Sequence, residues 1–432
     1  MNTLCLICCV SGVAFFLLSV AVFPSIKIKN KSVAIYWLPP LFAALALIAF
    51  NCVDLPDVWK SLTANSSINP LKILVLFFSL TAISVFLDEA GFFELLAYWV
   101  LIKAKKSQTF LFTVLFFTVS LLTVFTSNDI VILTFTPFIC YFCKNAKINP
   151  LPYLVGEFVA ANTFSLLLII GNPTNIYLGA SFSVSFEQYF IKMALPALAG
   201  GVTAFLVLFL FFNKTLKKPL ISDVLPPSKK NKFLMVLGLV ILTGCTLMLT
   251  VSGYLNIEMW QICLCFALIL FMIAAIYFLA TKQRAIAIKS TFKRIPYLLA
   301  PFILSMFVMV LALEKNGFTE KIAQMLTMGN NVFSFGAASY LFSNIINNIP
   351  MSVLFSSVCA KLSNPLPAVF ASIVGSNYGA LLTPVGALAG IMWTDLLKTH
   401  GVSMRLPKFV LYCGVCSIIS LFVTLLVLNF II

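Results

Sequence analysis

Apolar runs of about 20 residues recur along the whole chain, and this constrains the fold more than any other feature. Inside a bilayer every backbone amide and carbonyl must be paired within the protein, which leaves helices or closed barrels. The runs lack the apolar–polar alternation of transmembrane strands, so helices are expected. Only 9% of the 432 residues are charged, against about 25% in soluble domains. The expected fold class is an all-α integral membrane protein.

The net charge of +15 does not indicate nucleic-acid binding, because the basic residues lie in short loops between apolar runs. There they act as topology signals. Met1-Asn2-Thr3 lacks a cationic leader, and the run 4–23 is too long for a signal-peptide core, so it reads as a first span. The 12 cysteines lie mostly inside apolar runs. Cys140/Cys143 and Cys413/Cys416 are i, i+3 neighbours, with no second pair and no histidine beside them; the one histidine is His400. A metal site is therefore not expected, and the cysteines read as small packing residues.

Hydropathy and Lys/Arg bias place spans near 4–23, 33–52 and 71–89, with a surface helix at 91–102. Lysines flank 108–144 at both ends (Lys105/Lys106 and Lys144/Lys147). A re-entrant hairpin with its tip near Asn128 keeps both ends inside. Segment 151–181 then crosses, broken at 171–175, and 190–213 returns. A basic cytoplasmic linker, 214–232, precedes the second half, 233–432. That half has spans near 233–252, 260–280 and 296–314, a hairpin 330–361 tipped by Asn347, a segment 366–397 broken at 383–386, and a last span 409–431. Of 28 basic residues only Lys60, Lys72, Lys192, Lys315, Lys321 and Lys361 then fall outside. The expectation is about ten transmembrane helices plus two re-entrant hairpins, with the N-terminus outside.

The halves, 1–213 and 233–432, repeat motifs in the same order. Leu87-Asp88-Glu89-Ala90-Gly91-Phe92 is similar to Leu313-Glu314-Lys315-Asn316-Gly317-Phe318. Ser127-Asn128-Asp129 corresponds to Asn347-Asn348-Ile349-Pro350, and Gly171-Asn172-Pro173-Thr174-Asn175 to Thr383-Pro384-Val385-Gly386. The charge bias enters one half from outside and the other from inside, which implies two inverted-topology repeats.

Gly171, Pro173, Pro384 and Gly386 supply helix breaks, since Pro removes a donor and Gly admits unusual dihedrals. Half-helix ends and amide or hydroxyl side chains at such breaks can bind a solute or ion. The candidate binding residues are Ser127, Asn128, Asp129, Asn172, Thr174, Asn175, Asn347, Asn348, Asn377 and Thr383. Asp129 is the candidate coupling group. A mid-membrane carboxylate costs about 2.5–3.5 kcal/mol and needs a sodium ion, a proton or a donor such as Thr126. Asp88 and Glu89 either pass protons or cap helices, and Glu157 is expected to snorkel to the inner surface. No Lys or Arg falls in the four central motifs, which favours a small uncharged solute or an ion held by helix dipoles.

Leu87-Asp88-Glu89-Ala90-Gly91-Phe92-Phe93-Glu94 closely resembles the motif after the third span of ArsB-type arsenite/antimonite permeases. Ser127-Asn128-Asp129 with Leu133-Thr134 and Thr136-Pro137 is similar to their Asn-Asp…Leu-Thr-Pro segment. Asn347-Asn348-Ile349-Pro350 matches their Asn-Asn-hydrophobic-Pro. Gly375-Ser376-Asn377-Tyr378-Gly379 through Thr383-Pro384-Val385-Gly386-Ala387-Leu388-Ala389 resembles their Gly-x-Asp/Asn-x-Gly-Pro…Thr-Pro-Ile-Gly-Ser-Leu-Ala. The chain departs at Ala380, where these carry Pro, and at Ala387, where they carry Ser. The resemblance implies proton-coupled export of arsenite or antimonite across a bacterial cytoplasmic (inner) membrane. The partners it implies are the lipid bilayer, a small solute and, in some members, a soluble ATPase subunit, with a homodimer left open. No cofactor is expected beyond a coupling sodium ion or proton. Sodium/proton antiporters and sodium-coupled dicarboxylate carriers of the same ion-transporter superfamily share this plan and stay open as alternatives. An ion channel is disfavoured by the repeat. No Ser/His/Asp set, metal cluster or phosphate loop suggests an enzyme.

Overall fold

Several long helices begin where the sequence supplies a cap. Asn69 Oδ1 accepts from Leu71 N at 2.9 Å ahead of Pro70, Asn231 Oδ1 from Phe233 N at 3.0 Å, and Asn330 Oδ1 from Val332 N at 2.9 Å. Ser185 and Gln188 form a reciprocal capping box. Each satisfies amides that the first helical turn leaves free. The computed structural model describes residues 2–21, 25–28, 31–63, 69–103, 107–218, 231–255 and 257–432.

The first half contains α1 (Asn2–Ala21), α2 (Leu38–Ala49), α3 (Leu55–Thr63), α4 (Pro70–Glu89), α5 (Phe92–Lys103), α6 (Gln108–Phe125), α7 (Asn128–Asn145), α8 (Leu151–Phe164), α9 (Pro173–Ser181) and α10 (Phe186–Leu216). The second contains α11 (Lys232–Thr250), α12 (Ser252–Leu255), α13 (Met259–Thr281), α14 (Ile286–Arg294), α15 (Leu299–Lys315), α16 (Phe318–Leu326), α17 (Asn331–Ile346), α18 (Asn348–Cys359), α19 (Leu366–Gly379), α20 (Leu388–Thr399), α21 (Leu406–Phe409) and α22 (Val415–Ile431). Among the described residues seven helical segments are long and apolar enough to cross a membrane. Leu210, Val240, Leu268 and Leu279 point outward from them. Large apolar side chains on the outside are what a hydrocarbon solvent requires.

Several local expectations change. Residues 25–34 contain an antiparallel strand pair, β1 (Ser25–Ile28) with β2 (Lys31–Ala34), where an entirely helical reading placed a loop and the start of a span. Val33 suits a strand, and Pro39 and Pro40 delay α2 to Leu38, because Pro is tolerated only in a first turn. The basic stretch after α13 is partly helical, as α14. α6 and α7 have 18 residues each, and α17 and α18 have 16 and 12. Most of the basic linker, 219–230, lies outside the described residues.

α17 packs along α19, α10 along α22, α6 along α8, and α13 along α4, while α7 lies against both α8 and α20. The two interrupted helices, α8/α9 and α19/α20, occupy the centre of the main apolar core. A second apolar cluster joins α1 and α2 to α15.

Candidate functional site

Both central helices stop well before their prolines. α8 ends at Phe164, and the chain passes through 165–168 and a 3₁₀ turn, Ile169–Gly171, before α9 starts at Pro173. α19 ends at Gly379, and a 3₁₀ turn, Pro384–Gly386, precedes α20. The breaks are therefore 165–172 and 380–387, longer and earlier than 171–175 and 383–386. The residue before a proline avoids helical dihedrals, and Asn172 is extended at φ −149°, ψ 140°. Each break folds back onto the end of the preceding helix. A Cβ on Gly171 would lie 2.9 Å from Ser165 Cα, and one on Gly386 would lie 3.0 Å from the Gly379 carbonyl carbon. Only glycine allows these approaches.

The two breaks meet. Asn377 Oδ1 accepts from Ser165 Oγ at 2.8 Å and from Asn172 Nδ2 at 2.9 Å. Its Nδ2 donates to Asn175 Oδ1 at 2.7 Å and to Ile373 O at 2.9 Å. Asn175 Nδ2 donates to Ser165 O at 2.7 Å. Ser376 Oγ donates to Thr174 Oγ1 at 2.8 Å, and Asn172 Oδ1 caps α9 through Thr174 N and Oγ1, both at 3.1 Å. All of these side chains are buried. The result is a neutral cluster of amides and hydroxyls joining the two halves, with half-helix ends on either side.

One tip between paired helices reaches α8 just before its break, and the other reaches the break of its own half. At Thr126–Ser127 the chain leaves α6 and enters α7, and Asn128 Nδ2 donates to Asn162 Oδ1 of α8 at 3.0 Å. Asn347 sits between α17 and α18 at φ 72°, ψ 155°. A non-glycine residue there stores about 1–3 kcal/mol of strain. Its Nδ2 donates to Val385 O in the second break at 2.9 Å, which holds it in place. Asn344 secures the same region, donating to Gly379 O at 3.0 Å and accepting from Thr383 Oγ1 at 2.7 Å. Asn348 Oδ1 is buried with no partner among the described residues. No hydrogen bond joins Asn128 to Asn347 or Asn348 among the described residues.

Asp129 stands apart from the amide cluster. It lines a cavity of about 610 Å³ with Ser127, Tyr36, Thr81, Arg294 and Asp395, and the remaining walls are mostly apolar. It has no hydrogen-bond or ion-pair partner among the described residues. Thr126, the expected donor, instead gives its hydroxyl to Leu122 O at 2.8 Å. A β-hydroxyl on the last helical turn reaches that carbonyl more easily than a side chain three residues ahead. Arg294 pairs with Asp88 at 2.7 Å and Glu89 at 2.6 Å, so both acids are tied to the rim of this cavity. Glu157 does not snorkel. It is fully buried, and Thr136 Oγ1 lies 3.0 and 3.1 Å from its two oxygens. The bulk of α7 and α20 covers it, and its side chain is too short to pass them.

Sequence reasoning missed Asn162, Ser165, Asn344, Ser376 and Arg294 as members of these networks. A signal existed for some: Asn162 and Ser165 are i, i+3 neighbours, and Asn344 lies one turn before Asn347.

The citrate transporter family, CitMHS, matches residues 6–375. An arsenical pump membrane protein of Escherichia coli is 26% identical over 417 residues, covering 92% of this chain and 94% of that protein. The YdaH transporter of Alcanivorax borkumensis, described as having an unusual topology, superposes with a TM-score of 0.58 at 13% identity, covering 99% of this chain and 97% of that one. MtrF of Neisseria gonorrhoeae, described within a class of antimetabolite efflux pumps, gives a TM-score of 0.54 at 13% identity, with 99% and 94% covered. Both share the fold. The arsenical-pump resemblance expected from the motifs thus extends over nearly the full chain.

Proposed function

Since this multi-pass membrane transporter belongs to the citrate transporter (CitMHS) family, we propose that it exports arsenite or antimonite from the bacterial cytoplasm in exchange for protons. The halves 1–213 and 233–432 are read as antiparallel repeats that expose the site to alternate faces. The single observation that carries the reading is Asp129, an acid without a protein partner among the described residues, in a cavity of about 610 Å³. A carboxylate in such apolar walls is costly, so it favours binding a proton or a cation. Arsenous acid is largely uncharged near neutral pH. The neutral donors and acceptors around Asn377 suit such a solute without requiring a counter-charge. One proton moving inward across 100 mV supplies about 2.3 kcal/mol, a tens-fold concentration ratio. The arsenical-pump relatives are consistent with this substrate class.

The test is transport by the reconstituted chain against arsenite, antimonite, sodium, citrate and succinate under imposed proton or sodium gradients. The expected result is metalloid accumulation driven by a proton gradient and lost in Asp129→Asn. Sodium-driven movement of citrate or succinate with no metalloid flux would overturn the assignment.

A further inference from the structure

Glu157 is an ionisable side chain with no exposed surface in the middle of α8, and the reaction outlined above does not use it. Its surroundings suit a neutral acid better than a charge. The Thr136 hydroxyl is 3.0 Å from Oε1 and 3.1 Å from Oε2, but one hydroxyl carries one proton and satisfies one oxygen. No Lys, Arg or His forms an ion pair with it among the described residues. Aromatic rings cluster about Trp393: Phe158, next to Glu157 in the chain, stacks on it at 4.6 Å, and Phe409 lies 5.9 Å from it. The Trp393 indole N–H is buried without an aligned acceptor, yet lies within reach of the carboxyl.

The titratable neighbours do not supply a counter-charge. Cys140 of α7 is the group close enough to interact. Tyr153, on α8 itself, gives its hydroxyl to Gln108 of α6 at 3.0 Å. Tyr378 of α19 is paired with Thr424 at 2.9 Å, and Asp395 of α20 faces the cavity. Without a counter-charge a carboxylate is disfavoured in such a buried site even with the Thr136 hydroxyl and the Trp393 N–H in reach, whereas a carboxylic acid is neutral and uses the same partners.

Position ties Glu157 to the cavity. Thr136 follows Asp129 by seven residues, so both lie on one face of α7, about 10 Å apart along the axis. α20 separates the two acids: Leu388, Ile391 and Met392 line the Asp129 cavity, while Trp393 turns to the Glu157 side. A shift of α20 would therefore change the surroundings of both acids together.

We propose that Glu157 is a second proton-binding site of the carrier, loaded in the conformation seen here and wetted when α20 moves. Water on one side of the membrane supplies the proton that forms the carboxyl O–H bond, and water on the other side receives it. This inference rests on the proton-coupled reading and adds a site distinct from Asp129.

The test uses the full-length protein in liposomes. Glu157→Gln keeps the shape and a neutral polar group but cannot exchange a proton. The expected result is loss of proton-gradient-driven accumulation, with downhill exchange of arsenite retained within about twofold. A merely structural acid would tolerate the amide, so wild-type accumulation in this variant would overturn the proposal. Infrared spectroscopy provides a readout that needs no transported solute. Wild type should show a carboxylic-acid carbonyl band that Glu157→Gln lacks. Absence of any band sensitive to Glu157→Gln would overturn the proposal even if metalloids are not the substrate.

Discussion

Removing the Asn377 side chain tests whether the amide cluster holds the two breaks together. In Asn377→Ala three hydrogen bonds to neighbouring elements disappear: those to Ser165, Asn172 and Asn175. Interhelical hydrogen bonds in membranes average about 0.6 kcal/mol, which sets a lower figure of about 2 kcal/mol. The consequences for the partners raise it. Ser165 Oγ keeps Asn162 O at 2.9 Å as an acceptor. Asn172 Nδ2 and Asn175 Oδ1 have no other partner among the described residues and are left unsatisfied in a buried site. Each such group costs about 1–3 kcal/mol, giving an upper figure of about 6 kcal/mol. Ser376→Ala is the control. It removes the one bond to Thr174, whose hydroxyl still reaches Asn172 Oδ1, and should cost about 0.5–1.5 kcal/mol. Denaturation midpoints of the purified protein, by heat or by sodium dodecyl sulfate titration, measure both. Equal midpoints for the two variants would refute the assignment of Asn377 as the hub.

Gly171→Ala and Gly386→Ala should each destabilise by about 1–3 kcal/mol, because the new methyl group meets backbone of the preceding helix end, which cannot rotate away; the same midpoints report it, and a neutral effect at both sites would remove the folded-back breaks. Lys361 holds Glu320 at 2.9 Å and keeps that carboxyl below its usual range. The linked stability should be fully present above the ordinary carboxyl value of about 4.3 and lost as pH falls through the lowered folded value. In Lys361→Gln this part of the pH dependence of the thermal midpoint should disappear; an unchanged profile would show that the ion pair contributes nothing.

Much of the fold was legible because a bilayer imposes few choices. Apolar runs without alternation become helices, and the spans near 71–89, 233–252 and 260–280 reappear as α4, α11 and α13 within a few residues. Asn69 and Asn231 start helices through local geometry that the sequence carries by itself. The breaks were visible through Gly171, Pro173, Pro384 and Gly386, although their extent was not, because the last turns of α8 and α19 end in response to contacts folded back onto them. The strand pair at 25–34 escaped the reading, since four-residue strands lie below the length at which periodicity speaks.

The motifs Ser127-Asn128-Asp129 and Asn172–Asn175 looked like parts of one site when read along the chain. Folding separates them: Asp129 faces a cavity shared with Arg294, while Asn172, Thr174 and Asn175 bind Asn377 and Ser376 from the other half. Likewise the sequence could mark Asp88, Glu89 and Glu157 only as acids near helix ends. Whether an acid meets a guanidinium, as Asp88 and Glu89 do, or a hydroxyl and an indole N–H, as Glu157 does, depends on residues more than a hundred positions away in the first case and on which face of α8 turns inward in the second. Chain chemistry alone determined membrane insertion, helix starts and the places where helices must break. Tertiary packing decided which polar groups face one another, because a side chain's partners are set by helix rotation and crossing, which local hydrophobic patterning does not specify.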